Sequence, residues 1–284
     1  MYDPKRLQKK LRWIESEIID HAEQIVEKNP SGIDLREDFE HILHLDIQEM
    51  MNAYQNMVHH TGIQLVDQDD LTHTLQHEPV LFEGAQGILL DPILGFSPHV
   101  TKTRTTPLNA QNLLERAGIF EARILGVTRS YLTRHGMGPF PTEMDSLQKR
   151  FLESHNLENQ WQGKMRFGWL DLVLLNYACS KVPAMKEIAL THLDSFFLDA
   201  KISRKNQSKY DLLQDMYVCT AYKNSAGDVW GCNSFDISSL NHFYGCTPVL
   251  HQIHQFETFL EQLPCSVSIQ SFGPTIKDKK FISS

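Results

Sequence analysis

The sequence has no long hydrophobic run, no extended basic stretch and no closely paired cysteines. Each absence excludes something. A helix that crosses a bilayer needs roughly 20 apolar residues in a row, and no segment approaches that. The opening Met1-Tyr2-Asp3-Pro4-Lys5-Arg6 is polar and charged, unlike the apolar centre of a secretory signal. The formal net charge is −8, which argues against nucleic acid or an anionic membrane as a main partner. A local basic pocket for a small anion such as a nucleotide is not excluded by that sum. The five cysteines, Cys179, Cys219, Cys232, Cys246 and Cys265, are odd in number and form no C-x-x-C pair. Free thiols in a reducing compartment are the simplest account. These features predict a cytoplasmic protein.

What is present is enough for a core. Of 284 residues, 41% are hydrophobic and 22% charged, the balance of an ordinary globular chain. The first 78 residues carry helical periodicity. Asp3-Pro4 is a helix start, a capping carboxylate followed by proline at the first helical position. Leu7, Leu11, Ile14, Ile18, Ala22 and Ile25 then recur at helical spacing, up to the break at Asn29-Pro30-Ser31-Gly32. The spacing predicts a second helix over residues 35–60, ended by Gly62, and a short third over residues 70–76.

After residue 78 the pattern changes. Pro79-Val80-Leu81-Phe82 reads as a buried strand stopped by Glu83-Gly84-Ala85-Gln86-Gly87. Residues 123–128 and 187–191 read as two more strands. Residues 216–221 and 229–232 flank Asn224-Ser225-Ala226-Gly227-Asp228 as a hairpin. A helix is expected over residues 248–262, and a last strand over residues 266–269 before Ser271-Phe272-Gly273-Pro274. Strands alternating with helices predict an α/β fold with a mostly parallel sheet. The expected organisation is a helical section, 1–78, followed by one continuous core, 79–284.

Ligands of open parallel sheets bind at the loops that follow strand ends. Three segments have suitable chemistry. Glu83-Gly84-Ala85-Gln86-Gly87 offers two glycines for close backbone approach and an amide that both donates and accepts. Residues 136–143 form a rigid Gly/Pro turn. Residues 163–169 read as a flexible basic loop suited to carboxylates or phosphates. Each alone is ordinary: a Gly-Pro turn usually marks only a turn, and two cations in a loop are usually a solvated patch. The histidine pairs His41/His44, His59/His60 and His251/His254 lack the cysteine or carboxylate partners of a metal site and are read as surface or packing residues. No metal ligands are assigned.

The order of the segments is more specific than any one of them. V-L-F-E-G-A-Q-G-x-L-L-D (80–91), P-x-V-T (98–101), G-x-G-P-F-P-T-E (136–143), G-W-L-D (168–171), T-x-L-D (191–194) and S-x-G-P (271–274) together resemble the adenylosuccinate synthetase family. The resemblance runs from about residue 79 onward and covers that family's later two-thirds. It implies a P-loop NTPase-related core, GTP and magnesium as cofactors, inosine monophosphate (IMP) and aspartate as substrates, and a homodimer. In that chemistry GTP phosphorylates the purine 6-oxygen, and the aspartate amine then displaces the phosphate. By position, Gln86 would contact the purine nucleotide, Thr101 its 5′-phosphate, and His135 would lie beside the ribose. Lys164 and Arg166 would belong to the loop that closes over the amino acid, Arg166 also reaching the nucleotide. Asp194 would read the guanine donors of GTP, with His192, Ser271 and Gly273 near the same base.

The sequence departs from the family in four places. No G-x-x-x-x-G-K or G-D-E-G-K stands in the 284 residues, so the phosphate cradle, the catalytic base and acid, and the first strand of the sheet are expected to be missing. The closing loop has Lys164-Met165-Arg166-Phe167 in place of an arginine run, and lysine lacks the bidentate fork. His192 replaces a lysine in T-H-L-D. Lys102-Thr103-Arg104-Thr105-Thr106-Pro107 replaces a Ser/Asn-rich turn. No catalytic residue is therefore assigned. The expectation is an N-terminally truncated ligase component whose front is supplied by another polypeptide or lost, joining aspartate or a related amino acid to IMP or a similar nucleotide. The alternatives are a catalytically inactive nucleotide-binding or regulatory protein, and a purely structural interaction module.

Overall fold

In the computed structural model, residues 3–28, 39–40, 43, 46–63, 66–148, 151, 156–196, 216–231 and 243–282 are described. Asn29-Pro30-Ser31-Gly32, Ile42, the pair His41/His44 and Cys232 lie outside them. The chain divides into two compact units, Met1–Val80 and Leu81–Ser284.

The first unit is helical. α1 (Pro4–Glu27) starts where Asp3 accepts hydrogen bonds from the Lys5 and Arg6 N–H groups. α2 (Ile47–His60) is capped in the same way by Asp46. Asp46 therefore opens a new helix inside the single helix expected over 35–60: its carboxylate takes the N–H groups of Gln48 and Glu49 at the helix's first turn. α3 (Gln68–His77) begins with a reciprocal capping box between Asp67 and Asp70. The core of this unit is Leu11, Ile47 and Met51, with Leu7 and Met50 packed against it. Ile14, Ile18 and Ile25 of the apolar stripe, and Trp13, are exposed.

The second unit holds two sheets. β1 (Leu125–Arg129), β4 (Glu187–Thr191), β8 (Ser266–Ser271) and β9 (Lys279–Phe281) form one, in the order β1-β4-β8-β9. Its first three strands are parallel and β9 is antiparallel. β2 (Tyr131–His135), β3 (Met165–Asp171), β5 (Tyr217–Lys223), β6 (Val229–Gly231) and β7 (Thr247–Gln252) form the other. There β3 and β5 are parallel and the remaining pairs antiparallel. The parallel expectation thus describes one sheet, and the other is mixed. The helices described with both ends in this unit are α4 (Leu108–Arg116), the single turn α5 (Asp145–Gln148), α6 (Leu172–Ser180) and α7 (Phe256–Glu261).

Three expectations about elements are corrected. Residues 79–87 form no strand and are exposed, with Leu81 at 91%; an apolar run becomes a buried strand only where a neighbouring strand offers a ladder, and none does among the described residues. Residues 247–252 are strand β7, and only Phe256–Glu261 is helical. Pairing along the whole of β5 overrides the helical spacing there. The segment expected to be a flexible basic loop is largely strand β3, buried from Phe167 to Asp171. The main core lies around β3, with Leu170, Leu190, Leu193, Phe196, Met216, Val218 and Phe259 fully buried and Tyr131 stacked on Phe151 at 3.9 Å between ring centres. Burying one such side chain contributes about 1.5–3 kcal/mol.

Candidate functional site

Asp91 organises the first part of the site. It is fully buried, and its Oδ1 accepts the Ile93 and Leu94 N–H groups at 2.9 and 3.2 Å. Its Oδ2 accepts the Thr105 N–H at 3.0 Å, and Arg104 lies 3.5 Å from Oδ1. Burial pushes this carboxyl up, but the three N–H donors and Arg104 outweigh it and hold it below the usual range. One carboxylate thereby fixes both the turn after the short 3₁₀ helix Ile88–Leu90 and the threonine-rich loop beyond it. Thr101 is pinned by its N–H to the Leu90 carbonyl at 2.8 Å, which leaves its hydroxyl beside that of Thr103 at 3.3 Å. Thr105 Oγ1 in this loop is buried with no hydrogen-bond partner.

The second part is the Gly/Pro turn between β2 and β3. Arg134, only 9% exposed, donates from Nε to the Met137 carbonyl and from Nη2 to the His99 carbonyl, each at 2.9 Å. It ties this turn to the segment that leads into Thr101. Gly138 has φ +110, and a Cβ there would sit 2.4 Å from Arg134 Nη2 and 2.7 Å from His99 Cβ. Only glycine fits. Arg134 pairs across the ladder with Arg166. Arg166 Nη1 donates to the carbonyls of Gly136 and Gly138 at 3.1 and 3.0 Å, and its guanidinium lies over the Phe140 ring at 5.4 Å. Its Nε and Nη2 form a fork with Glu143. Glu143 thus balances Arg166, and Asp91 lies beside Arg104, whereas the acceptors of Arg134 described here are two carbonyls. Burial and the neighbouring Arg166 both push the Arg134 guanidinium down from its usual range. The cluster retains positive charge, which suits an anion.

His135 bonds through Nε2 to the Gly163 carbonyl at 3.0 Å, closing the end of the β2–β3 hairpin. Lys164 is 68% exposed and 3.8 Å from Glu158. Gln86 stands exposed in the unpaired segment with φ 62. Gln86 and His192 are the non-glycine residues with positive φ among the described residues. Such backbone strain concentrates at ligand sites.

The remaining expected residues meet at the C-terminal ends of two parallel strands. His192 follows β4 with φ 59 and ψ 29, and Asp194 lies exposed in the 3₁₀ turn behind it. Ser130 holds His192 in place, donating from Oγ to its carbonyl at 2.8 Å, while the Tyr131 ring meets the imidazole edge-on at 5.5 Å. β8 lies beside β4 and ends at Ser271, whose Oγ donates to the Gly273 carbonyl at 3.2 Å. Next to it, Gln270 Oε1 is buried with no partner. His192 and Asp194, and Ser271 and Gly273, therefore stand at the C-terminal ends of the paired strands β4 and β8. Thr101, His135 and Arg166 are gathered around the Gly/Pro turn. Ser130-Tyr131 connects the two groups.

Sequence reasoning missed the residues that hold the site together. Asp91, Glu143 and Asp171 each end a motif quoted for its resemblance, which was their signal. Arg134 and Tyr222 had none. Asp171 is fully buried at the start of α6, accepting the Leu174 N–H at 3.0 Å and the Tyr222 hydroxyl. Burial raises its carboxyl to about 6 even though these bonds pull it down.

The statistical description of the adenylosuccinate synthetase family matches residues 2–268. The chain belongs to the adenylosuccinate synthetase family. An adenylosuccinate synthetase of Coxiella burnetii (strain RSA 331 / Henzerling II) is 30% identical over 246 residues, 84% of this chain and 52% of that protein. One of Hydrogenobaculum sp. (strain Y04AAS1) is 36% identical over 149 residues, 51% of this chain and 32% of that protein. The fully ligated synthetase of Plasmodium falciparum shares the fold, with a TM-score of 0.67 at 21% identity over 97% of this chain and 64% of that one. The chain thus spans about half the length of the curated relatives it matches. No helix among the described residues is long and apolar enough to cross a membrane.

The family resemblance implies a magnesium ion. Among the described residues no three His, Cys, Asp or Glu side chains are grouped to hold one, and Asp91, Glu143 and Asp171 are engaged by their own neighbours. The described residues do not by themselves make that site.

Proposed function

We propose that this chain is the nucleotide-holding part of an adenylosuccinate synthetase-type ligase. The observation that carries it is the buried Arg134, which joins the Thr101 segment to the Gly/Pro turn beside Arg166. This is a built, positively charged cluster with a hydroxyl at its edge, suited to a nucleotide 5′-phosphate. IMP, or a similar purine nucleotide, would lie there with Gln86 and His135. GTP would place its guanine at the β4 and β8 ends, where Asp194 supplies an acceptor pair for the ring N–H donors and His192 an aromatic edge. The amino acid, aspartate or a relative, would enter beside Lys164. The catalytic base, the acid and the phosphate cradle would come from a complementing synthetase-type polypeptide.

Nucleotide binding without turnover is favoured by one observation: Glu143 already occupies the fork of Arg166. Titration calorimetry with IMP and with GTP tests both. Binding of either, with no adenylosuccinate formed by the chain alone and ligation restored by a complementing polypeptide, is the expected result. Binding that never leads to ligation leaves the inactive binder. Absence of any nucleotide binding overturns both. Sedimentation of the same preparation reports whether the chain pairs with itself.

A further inference from the structure

α3 presents two imidazoles on one side. His73 and His77 are one helical turn apart and therefore neighbours on the helix surface. Leu75 between them is buried, and both histidines are exposed. Their rings stack, with centres 4.3 Å apart and planes inclined by 20°. His77 is also oriented from behind, its Nδ1 lying 2.8 Å from the His73 carbonyl. A carbonyl only accepts, so the proton of the neutral His77 ring sits on Nδ1 and the lone pair on Nε2. One ring N–H given to a carbonyl, with the other nitrogen open, is the usual state of a metal-ligating histidine. Histidines at this spacing on a helix are also the pair that binds zinc in H-E-x-x-H sites. Here the run is His73-Thr74-Leu75-Gln76-His77.

The spacing of the rings agrees with such a use. Two nitrogens bound to one tetrahedral ion at about 2.0–2.1 Å each stand about 3.4 Å apart. Exposed rings whose centres are 4.3 Å apart reach that separation by a small swing. Imidazole suits zinc, copper and nickel, whereas magnesium keeps to oxygen. Asp67 and Asp70 at the other end of α3 are engaged in its capping box. Among the described residues no third ligand joins the pair, so water completes the coordination.

We propose that His73 and His77 form a two-histidine site for a transition-metal dication of the zinc kind. The ion clasps the final turn of α3, a helix of 10 residues and so short enough to fray without help. The site uses none of the residues of the proposed ligase function and does not depend on it.

The test titrates zinc by calorimetry into the full chain, freed of metal by a chelator, and into its His73→Gln and His77→Gln variants. Both side chains are exposed, so the variants should keep the fold, checked by circular dichroism. The wild type is expected to bind zinc, and each variant to bind it about tenfold or more weakly. His60→Gln, on α2, should bind as the wild type does. Zinc should also slow amide hydrogen exchange at residues 74–78 by about tenfold, in the wild type and not in the two variants. Zinc held equally by all the chains lies elsewhere and overturns the site. No zinc binding by the wild type overturns it, as does magnesium binding with the same affinity. Unchanged exchange in α3 on zinc binding overturns it as well.

Discussion

Arg166 and Glu143 meet as a two-pronged ion pair, Nε donating to Oε1 at 2.9 Å and Nη2 to Oε2. The arginine simultaneously holds the carbonyls of Gly136 and Gly138. Arg166→Ala therefore removes more than Glu143→Ala. Each charged hydrogen bond lost contributes about 1.5–3 kcal/mol. A double-mutant cycle on thermal unfolding should give a coupling of about 1–2 kcal/mol; additivity of the two variants would mean that the pair does not brace the turn.

Gly138 and Gly163 both have positive φ, but their surroundings differ. At Gly138 a methyl group meets Arg134 and His99, whereas at Gly163 it meets nothing within 4 Å. Gly163→Ala should cost only the backbone strain, about 1–2 kcal/mol. Gly138→Ala should exceed it by at least about 1 kcal/mol, and should also weaken IMP binding. Equal melting points for the two variants would count against the close approach of Arg134.

Asp171 gives the unit a pH dependence of known sign. Its folded-state carboxyl is raised to about 6, above the roughly 3.9 of an unfolded aspartate. The folded chain therefore binds more protons in that window. Its contribution is full below about pH 4 and is lost as pH rises to about 6, by up to about 3 kcal/mol. Asp171→Asn should flatten that stretch of the stability curve in denaturant titrations. An unchanged slope in the variant would show that Asp171 is ionised throughout.

Glu187 behaves oppositely. Its hydrogen bonds to Arg123 hold its carboxyl down at about 2. Its stabilising effect is present above the unfolded value and lost only as pH falls toward 2. In Arg123→Met the carboxyl resonance should titrate near the ordinary glutamate range of about 4.3. NMR titration reads this directly.

Gln86→Gly separates ligand contact from folding. Glycine removes the left-handed strain at φ 62 and adds chain entropy to the unfolded state, two effects of about 1 kcal/mol each that oppose one another. The melting point should stay within about 3 °C while IMP affinity falls at least tenfold by calorimetry. Unchanged affinity would remove Gln86 from the proposed site.

Local signals made the start of the first helix and five strands legible. Asp3 before Pro4 is a complete cap within two residues, and the hairpin turn at 224–228 closes on its own bonds, Asn224 to Asp228 and Gly227 to Asn224. What failed depended on distant partners. Residues 247–252 become a strand because β5 lies alongside, and Leu81 stays exposed because no strand among the described residues does. Arg166 sits between glycines and polar residues that suggest a loop, yet β2 and β5 flank its strand. The nominated residues stand at turns and strand ends, where motifs are local. Arg134 belongs to no such motif; its value comes from reaching His99, thirty-five residues away.

The small core of the first unit has a thermodynamic consequence. Among the described residues, Leu11, Ile47 and Met51, helped by Leu7 and Met50, form the buried cluster between α1 and α2, while Trp13, Ile14, Ile18 and Ile25 are exposed. The second unit has two larger clusters of its own. Amides of α1–α3 should exchange through openings far smaller than those of β3 and β4. Heating should therefore release the chain in two stages, and a single melting temperature would describe only the second unit.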